Sequence, residues 1–154
     1  MISKSIALDL GCVALALILG ALGFQYFAHF PPCEMCHWQR WPLIAAAAAG
    51  IGGTLVADAR NAKLLAALTI LLVATSGAIG AYQAGVEWHW WPGPSERTGA
   101  RVVFSGIGNL NAPGAVRCDV PAWRFLGVLS LAGCNAIISL GSALLGAVLL
   151  VRKP

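Results

Sequence analysis

Cys33 and Cys36 stand in the stretch Pro31-Pro32-Cys33-Glu34-Met35-Cys36-His37-Trp38-Gln39-Arg40, between two long apolar runs. At this spacing one helical turn brings the two sulfurs together, so the pair can close into a disulfide, and thiol exchange through it moves two electrons with two protons. Lying between two apolar runs, the dithiol sits where a bilayer meets water, and the abundant two-electron acceptor of a membrane is a quinone. Arg40 follows Cys36 by four residues and would share its helical face. A guanidinium there favours a Cys36 thiolate and can donate to a quinone carbonyl and to the charge that develops on it during reduction. The competing reading of Arg40 is an anchor at headgroup level.

The remaining cysteines divide by their surroundings. Cys118, in Val116-Arg117-Cys118-Asp119-Val120-Pro121, lies in a long loop on the same face as the dithiol and is a candidate for exchange with Cys33 or Cys36; the alternative is an inert thiol. Cys12 and Cys134 fall inside apolar runs, where cysteine behaves as a small hydrophobe. Cys33, Cys36 and His37 also spell the c-type haem attachment pattern, but the connection is short and only His29 and His89 are available as distant second ligands. Zinc on Cys33, Cys36, His37 and Cys118 has suitable ligand types with nothing to fix the fourth in register, so no metal is expected. Gln83, Glu87 and His89 are read as ordinary interfacial polar residues, with a place in a quinone pocket as the alternative.

The elements that must position these groups follow from composition. The chain has 154 residues, enough for a single domain, with 58% hydrophobic and 10% charged residues and a mean hydropathy of +0.77. That is more apolar surface than a water-soluble fold of this size can cover, so the chain is read as a membrane protein. Its net charge of +4 comes from Lys and Arg scattered among loops and termini, without the stripe that nucleic acid requires. Four apolar segments, residues 6–28, 36–57, 64–82 and 123–151, each reach the roughly 20 residues of a bilayer crossing. The expected architecture is an all-α bundle of four transmembrane helices, with loops at 29–35 and 83–122, the long one between helices 3 and 4. The first segment is too long for a signal-peptide core and is read as an uncleaved anchor. The second must reach back to about Cys36 to complete a crossing, which puts the dithiol at the mouth of the bundle and Pro42 early in a helix, tolerated or kinking it. Within the long loop, residues 101–110 read equally as a short amphipathic element lying on the membrane or as a partly ordered loop.

Lys4, Arg60, Lys63, Arg152 and Lys153 crowd the short flanks at the end that holds both termini, whereas Arg40, Arg97, Arg101, Arg117 and Arg124 are spread over the longer segments of the other face. Their density places the termini in the cytoplasm. Trp38, Trp41, Trp88, Trp90, Trp91 and Trp123 all fall on the opposite face, as an interfacial aromatic belt requires. The dithiol then faces an oxidising compartment, where a disulfide persists.

At these residues the chain resembles the disulfide bond formation protein B family, DsbB, membrane thiol:quinone oxidoreductases. The resemblance runs over nearly the whole length. It is carried by the P-x-C-x-x-C-x-x-x-R stretch ending at Arg40, by Tyr82 with Gly85-Val86-Glu87, and by Trp91-Pro92-Gly93-Pro94. It continues through Cys118-Asp119 with Pro121-Ala122-Trp123-Arg124-Phe125-Leu126-Gly127, then Ser130-Leu131-Ala132-Gly133 and Asn135. The resemblance implies a bacterial inner-membrane enzyme with periplasmic redox loops, which reoxidises a periplasmic DsbA-like thioredoxin-fold protein and hands the electrons to ubiquinone or menaquinone. It implies that Cys33 and Cys36 are the quinone-coupled pair, with Cys36 nearest the ring, that Arg40 contacts the quinone, and that Cys118 is the second cysteine of the loop pair. One position departs from the pattern. The family has a Gly-Pro-x-x-Cys-x-Gly sequence, and here it reads Gly93-Pro94-Ser95-Glu96-Arg97-Thr98-Gly99, so Arg97 stands where the partner's mixed disulfide would form. Either the relay is interrupted, leaving Cys118 to bond Cys33, or the partner attacks another cysteine directly. Rival readings are a relative of vitamin K epoxide reductase, a membrane haem protein, and a non-enzymatic membrane subunit.

Overall fold

The computed structural model describes residues 2–30, 32–58, 60–93, 118–121 and 123–152. Arg97, residues 101–110 and Lys153 lie outside them. The apolar runs form α1 (Ile2–Tyr26), α2 (Glu34–Ala47), α3 (Gly53–Val56), α4 (Ala62–Glu87) and α5 (Leu131–Arg152). A π-helical turn, Ala48–Gly52, joins α2 to α3, so the helical path from Glu34 to Val56 is a single leg. α1, α4 and α5 are each long and apolar enough to cross a membrane.

Side chains are sorted inside out. Leu19, Leu55, Leu64, Leu71, Leu144 and Leu145 are exposed, whereas Gln39, Thr69, Ser76, Gln83, Asn135 and Ser139 are buried. Such a surface suits hydrocarbon, and the small and polar residues gather where helices meet. α4 is the central helix, packed against α5, α2 and α1. It approaches α5 at Gly77 and Gly80, where a Cβ would lie 3.0 Å from Leu140 N and 2.9 Å from Ala132 O respectively. α1 meets the π-helical turn at an equally close pair, since a Cβ on Gly50 would be 2.7 Å from Gly11 Cα. Ile6, Ala7, Leu10, Ala14, Leu43, Ala46, Ala66, Val73 and Ala143 form the apolar core between them.

Two expected boundaries differ. The fourth segment becomes helical only at Leu131; before it, β1 (Arg124–Phe125) and β2 (Leu129–Ser130) pair antiparallel, Arg124 with Ser130 and Phe125 with Leu129. Leu126 and Gly127 both take positive φ, 52° and 75°, and this tight turn reverses the chain where a continued helix was expected from Trp123. Ser130 then caps α5, its Oγ accepting from Gly133 N at 3.1 Å. The third apolar segment, as α4, outruns its expected end at Tyr82 and carries Gln83 through Glu87 as regular helix. Pro42 is held inside α2, which continues past it to Ala47.

Candidate active site

Cys33 is the N-cap of α2, and its sulfur accepts from the backbone N–H of Cys36 at 3.3 Å. The cap places Cys36 in the first helical turn, where the unpaired N–H groups of the helix favour negative charge. The two sulfurs are 2.7 Å apart and both thiols are free. Cys33 is buried, and its thiol is held well above the ordinary thiol range, first by the hydrogen bond it shares with Cys36 and then by burial. In the reduced pair the proton therefore stays on Cys33, and Cys36 is the sulfur left to carry charge.

Cys118 is 2% exposed and packs in one cluster with Cys33, Met35 and Val86, with Cys36 at its edge. The structure thus brings together the three cysteines singled out from the sequence. Arg40 lines the same cavity as Cys36, and its Nη1 donates to Gln25 Oε1 of α1 at 2.7 Å. His37 is exposed. Cys134 is half-buried in the cavity wall, and Cys12 is exposed on the outer face of α1.

That cavity, about 340 Å³, is bounded by Ala16, Leu17 and Phe24 of α1, Cys36, Arg40 and Leu43 of α2, Gln83 and Glu87 of α4, and Ala132 and Asn135 of α5. Gln83 and Glu87 belong to the site, which corrects their reading as ordinary interfacial residues. Gln83 Nε2 lies 3.4 Å from Cys33 Sγ, 3.6 Å from Cys36 Sγ and 3.2 Å from Glu87 Oε1. Gln39, Ser76, Asn135 and Ser139 extend the polar set inward and were not singled out for the site from sequence. The usable signal was their type: an amide inside an apolar run has to find a partner within the bundle.

Helices with apolar outer faces around a largely apolar cavity that takes in a few buried polar side chains, with a vicinal dithiol at its edge, define a multi-pass helical membrane protein built around a pair of neighbouring free thiols. The family model described as disulfide bond formation protein DsbB matches residues 3–149. A disulfide bond formation protein B from Polaromonas sp. is 31% identical over 155 residues, covering 94% of this chain and 87% of the relative. Its namesake from Shewanella sp. strain MR-4 is 32% identical over 122 residues, 75% of this chain and 69% of that one. A third, from Burkholderia ambifaria, is 38% identical over 72 residues, 46% of this chain and 41% of the relative. No solved structure matches. The chain belongs to the DsbB family of disulfide bond formation proteins.

Proposed function

We propose that this chain is an inner-membrane thiol:quinone oxidoreductase that crosses the bilayer four times, the leg from Glu34 to Val56 included, with cytoplasmic termini and a periplasmic dithiol. The observation that carries this reading is the position of the Cys33 and Cys36 sulfurs, 2.7 Å apart, at the edge of a cavity that also receives Arg40. A quinone ring fits the residues present. The volume falls within the roughly 300–1,000 Å³ of small-molecule sites, the walls are mainly apolar, and two buried polar atoms among the described residues, Arg40 Nε and Glu87 Oε2, have no hydrogen-bond partner. Arg40 would hold a ring carbonyl, and the quinone when bound supplies a sink for two electrons and two protons.

Turnover begins with the Cys33–Cys36 disulfide. Attack on Cys33 Sγ by a thiolate, from Cys118 or from a DsbA-like thioredoxin-fold partner, breaks that bond and releases Cys36 as thiolate. Where Cys118 made the attack, the partner's first thiolate then attacks Cys118 and frees Cys33; by either route the partner's second thiol gives up its proton and attacks the mixed disulfide, so the partner leaves oxidised, and Cys33, released from its disulfide, takes up a proton. Reoxidation reforms the Cys33–Cys36 bond. The pair's two electrons, the Cys33 proton and one proton from solvent pass to the quinone, which departs as quinol. Arg40 faces the charge that develops during this step. Arg97 replaces the loop thiol on which the family's partner docks, so turnover with such a partner is expected to be weak and to rise in Arg97→Cys.

Quinol formation by the purified chain with a reduced thioredoxin-fold partner tests the reading. Cys36→Ser should abolish it, because Cys33 then has no neighbouring sulfur with which to reform the disulfide that the partner reduces. Activity surviving that substitution would overturn the assignment.

A further inference from the structure

Three carboxamides link α5, α2 and α4 in one hydrogen-bonded chain that ends at the dithiol. An amide has a donor end and an acceptor end, so such a chain can run in two senses, and groups with only one role choose between them. The Ser76 carbonyl can only accept, and it lies 3.3 Å from Asn135 Nδ2, while the Ser139 hydroxyl supplies a donor 2.9 Å from Asn135 Oδ1. The Asn135 NH2 group therefore faces Gln39 Oε1, at 2.7 Å. Gln39 must then turn its own NH2 the other way, toward the Met35 carbonyl at 3.4 Å and Gln83 Oε1 at 2.6 Å. The Met35 carbonyl, again an acceptor only, enforces the same sense. Gln83 is left presenting its NH2 to the two sulfurs and to Glu87, with Nε2 at 3.6 Å from Cys36 Sγ and Oε1 farther away at 3.9 Å. The Ser76 hydroxyl donates to the Gln39 carbonyl at 3.0 Å, tying α4 to α2 at the middle of the chain.

We propose that Gln83 is a catalytic residue of thiol exchange, donating from Nε2 to the Cys36 sulfur while it carries negative charge, and that Gln39 and Asn135 are positioning residues that fix which end of the Gln83 amide faces the thiols. The proposal deepens the thiol:quinone reading and rests on it for the role of Cys36. No proton or electron passes along the amides; they set orientation. In the buried site, a donor held toward a sulfur in advance stabilises charge there more than one that must reorient from water.

The test is the rate at which iodoacetamide alkylates Cys36 in the reduced full-length protein at pH 7, read by peptide mass spectrometry. Gln83→Glu keeps the shape and replaces the donor by an acceptor; it should slow alkylation on the order of tenfold, the size of one charge-assisted hydrogen bond lost. Asn135→Asp alters no atom in contact with sulfur, yet should slow it several-fold by freeing the Gln39 and Gln83 amides to turn. Leu140→Ala, which loosens the same α4–α5 contact at Gly77 without touching an amide, should leave the rate unchanged. An unchanged rate in Gln83→Glu, slowing by Gln83→Glu without slowing by Asn135→Asp, or equal slowing by Leu140→Ala would each overturn the proposal. Quinol formation is assayed in parallel: a wild-type chain that makes none overturns the thiol:quinone reading, while the alkylation rates still decide the role of the amides.

Discussion

Arg40 is fastened to Gln25, its Nη1 donating at 2.7 Å across the junction of α1 and α2, while its Nε lies buried with no partner among the described residues. One edge of the guanidinium is thereby committed to the protein, and the other has bonding capacity to spare beside Cys36. Gln25 belongs to the penultimate position of α1, and nothing in its sequence neighbourhood marks it as a site residue.

If Gln25 orients that guanidinium, Gln25→Leu should raise KM for quinone about threefold to tenfold with little change in kcat. Arg40→Met should lower kcat/KM by about a hundredfold, the range in which loss of one oriented donor to developing charge falls. Steady-state quinol formation at varied quinone concentration measures both. Equal effects from the two variants would show that Gln25 does more than orient.

Cys33 offers a prediction in pH. Its thiol is raised above the ordinary value of 9.0, chiefly by the hydrogen bond to Cys36, so above that pH the folded chain keeps a proton there that the unfolded chain has lost. The stabilisation from this proton is complete below pH 9.0 and declines as pH rises above that value. In reduced protein with Cys12, Cys118 and Cys134 replaced by Ala, thiolate absorbance near 240 nm should report one equivalent by about pH 10, where two ordinary thiols would have given nearly two. A second equivalent titrating near 9.0 would contradict the proton assignment.

The contact between Gly11 and Gly50 makes a prediction about stability. A methyl group at position 50 would meet backbone rather than a yielding side chain, with Gly11 N at 2.9 Å and Gly11 Cα at 2.7 Å. Gly50→Ala should destabilise by about 1–3 kcal/mol, as overpacking of a close interface does, and lower the unfolding midpoint in mixed micelles. Gly52→Ala, where a Cβ meets nothing within 4 Å, should not.

Much of the fold was legible because apolar runs of bilayer length leave few alternatives, and the dithiol was legible because its spacing and its place between two such runs coincide. Boundaries were less so. Trp123 through Ser130 are apolar enough to pass for helix, and the reversal at Leu126 and Gly127 is a matter of backbone sign that hydropathy does not record. The amides were hidden for a related reason. Gln39 and Asn135 lie 96 positions apart, and their 2.7 Å contact exists only once α2 and α5 flank α4. Gln83 and Glu87 read as interfacial in the sequence, since a polar residue near a helix end ordinarily points to water; here α4 continues to Glu87 and turns both inward.

Beyond α4 the chain is stapled back on itself: Trp91 stacks on Tyr82, its indole N–H donates to the Tyr82 carbonyl at 2.9 Å, and a Cβ on Gly85 would overlap the ring. At the far end of the same connection Cys118 is sunk beside Cys33. On the thiol:quinone reading, a connection with both of these ends at one edge of the bundle gives Cys118 an effective molarity toward Cys33 that a soluble thiol would not match. If the chain exchanges disulfides as proposed, an incoming partner has to outcompete that resident sulfur, and the pace of exchange is set by how readily Cys118 gives way.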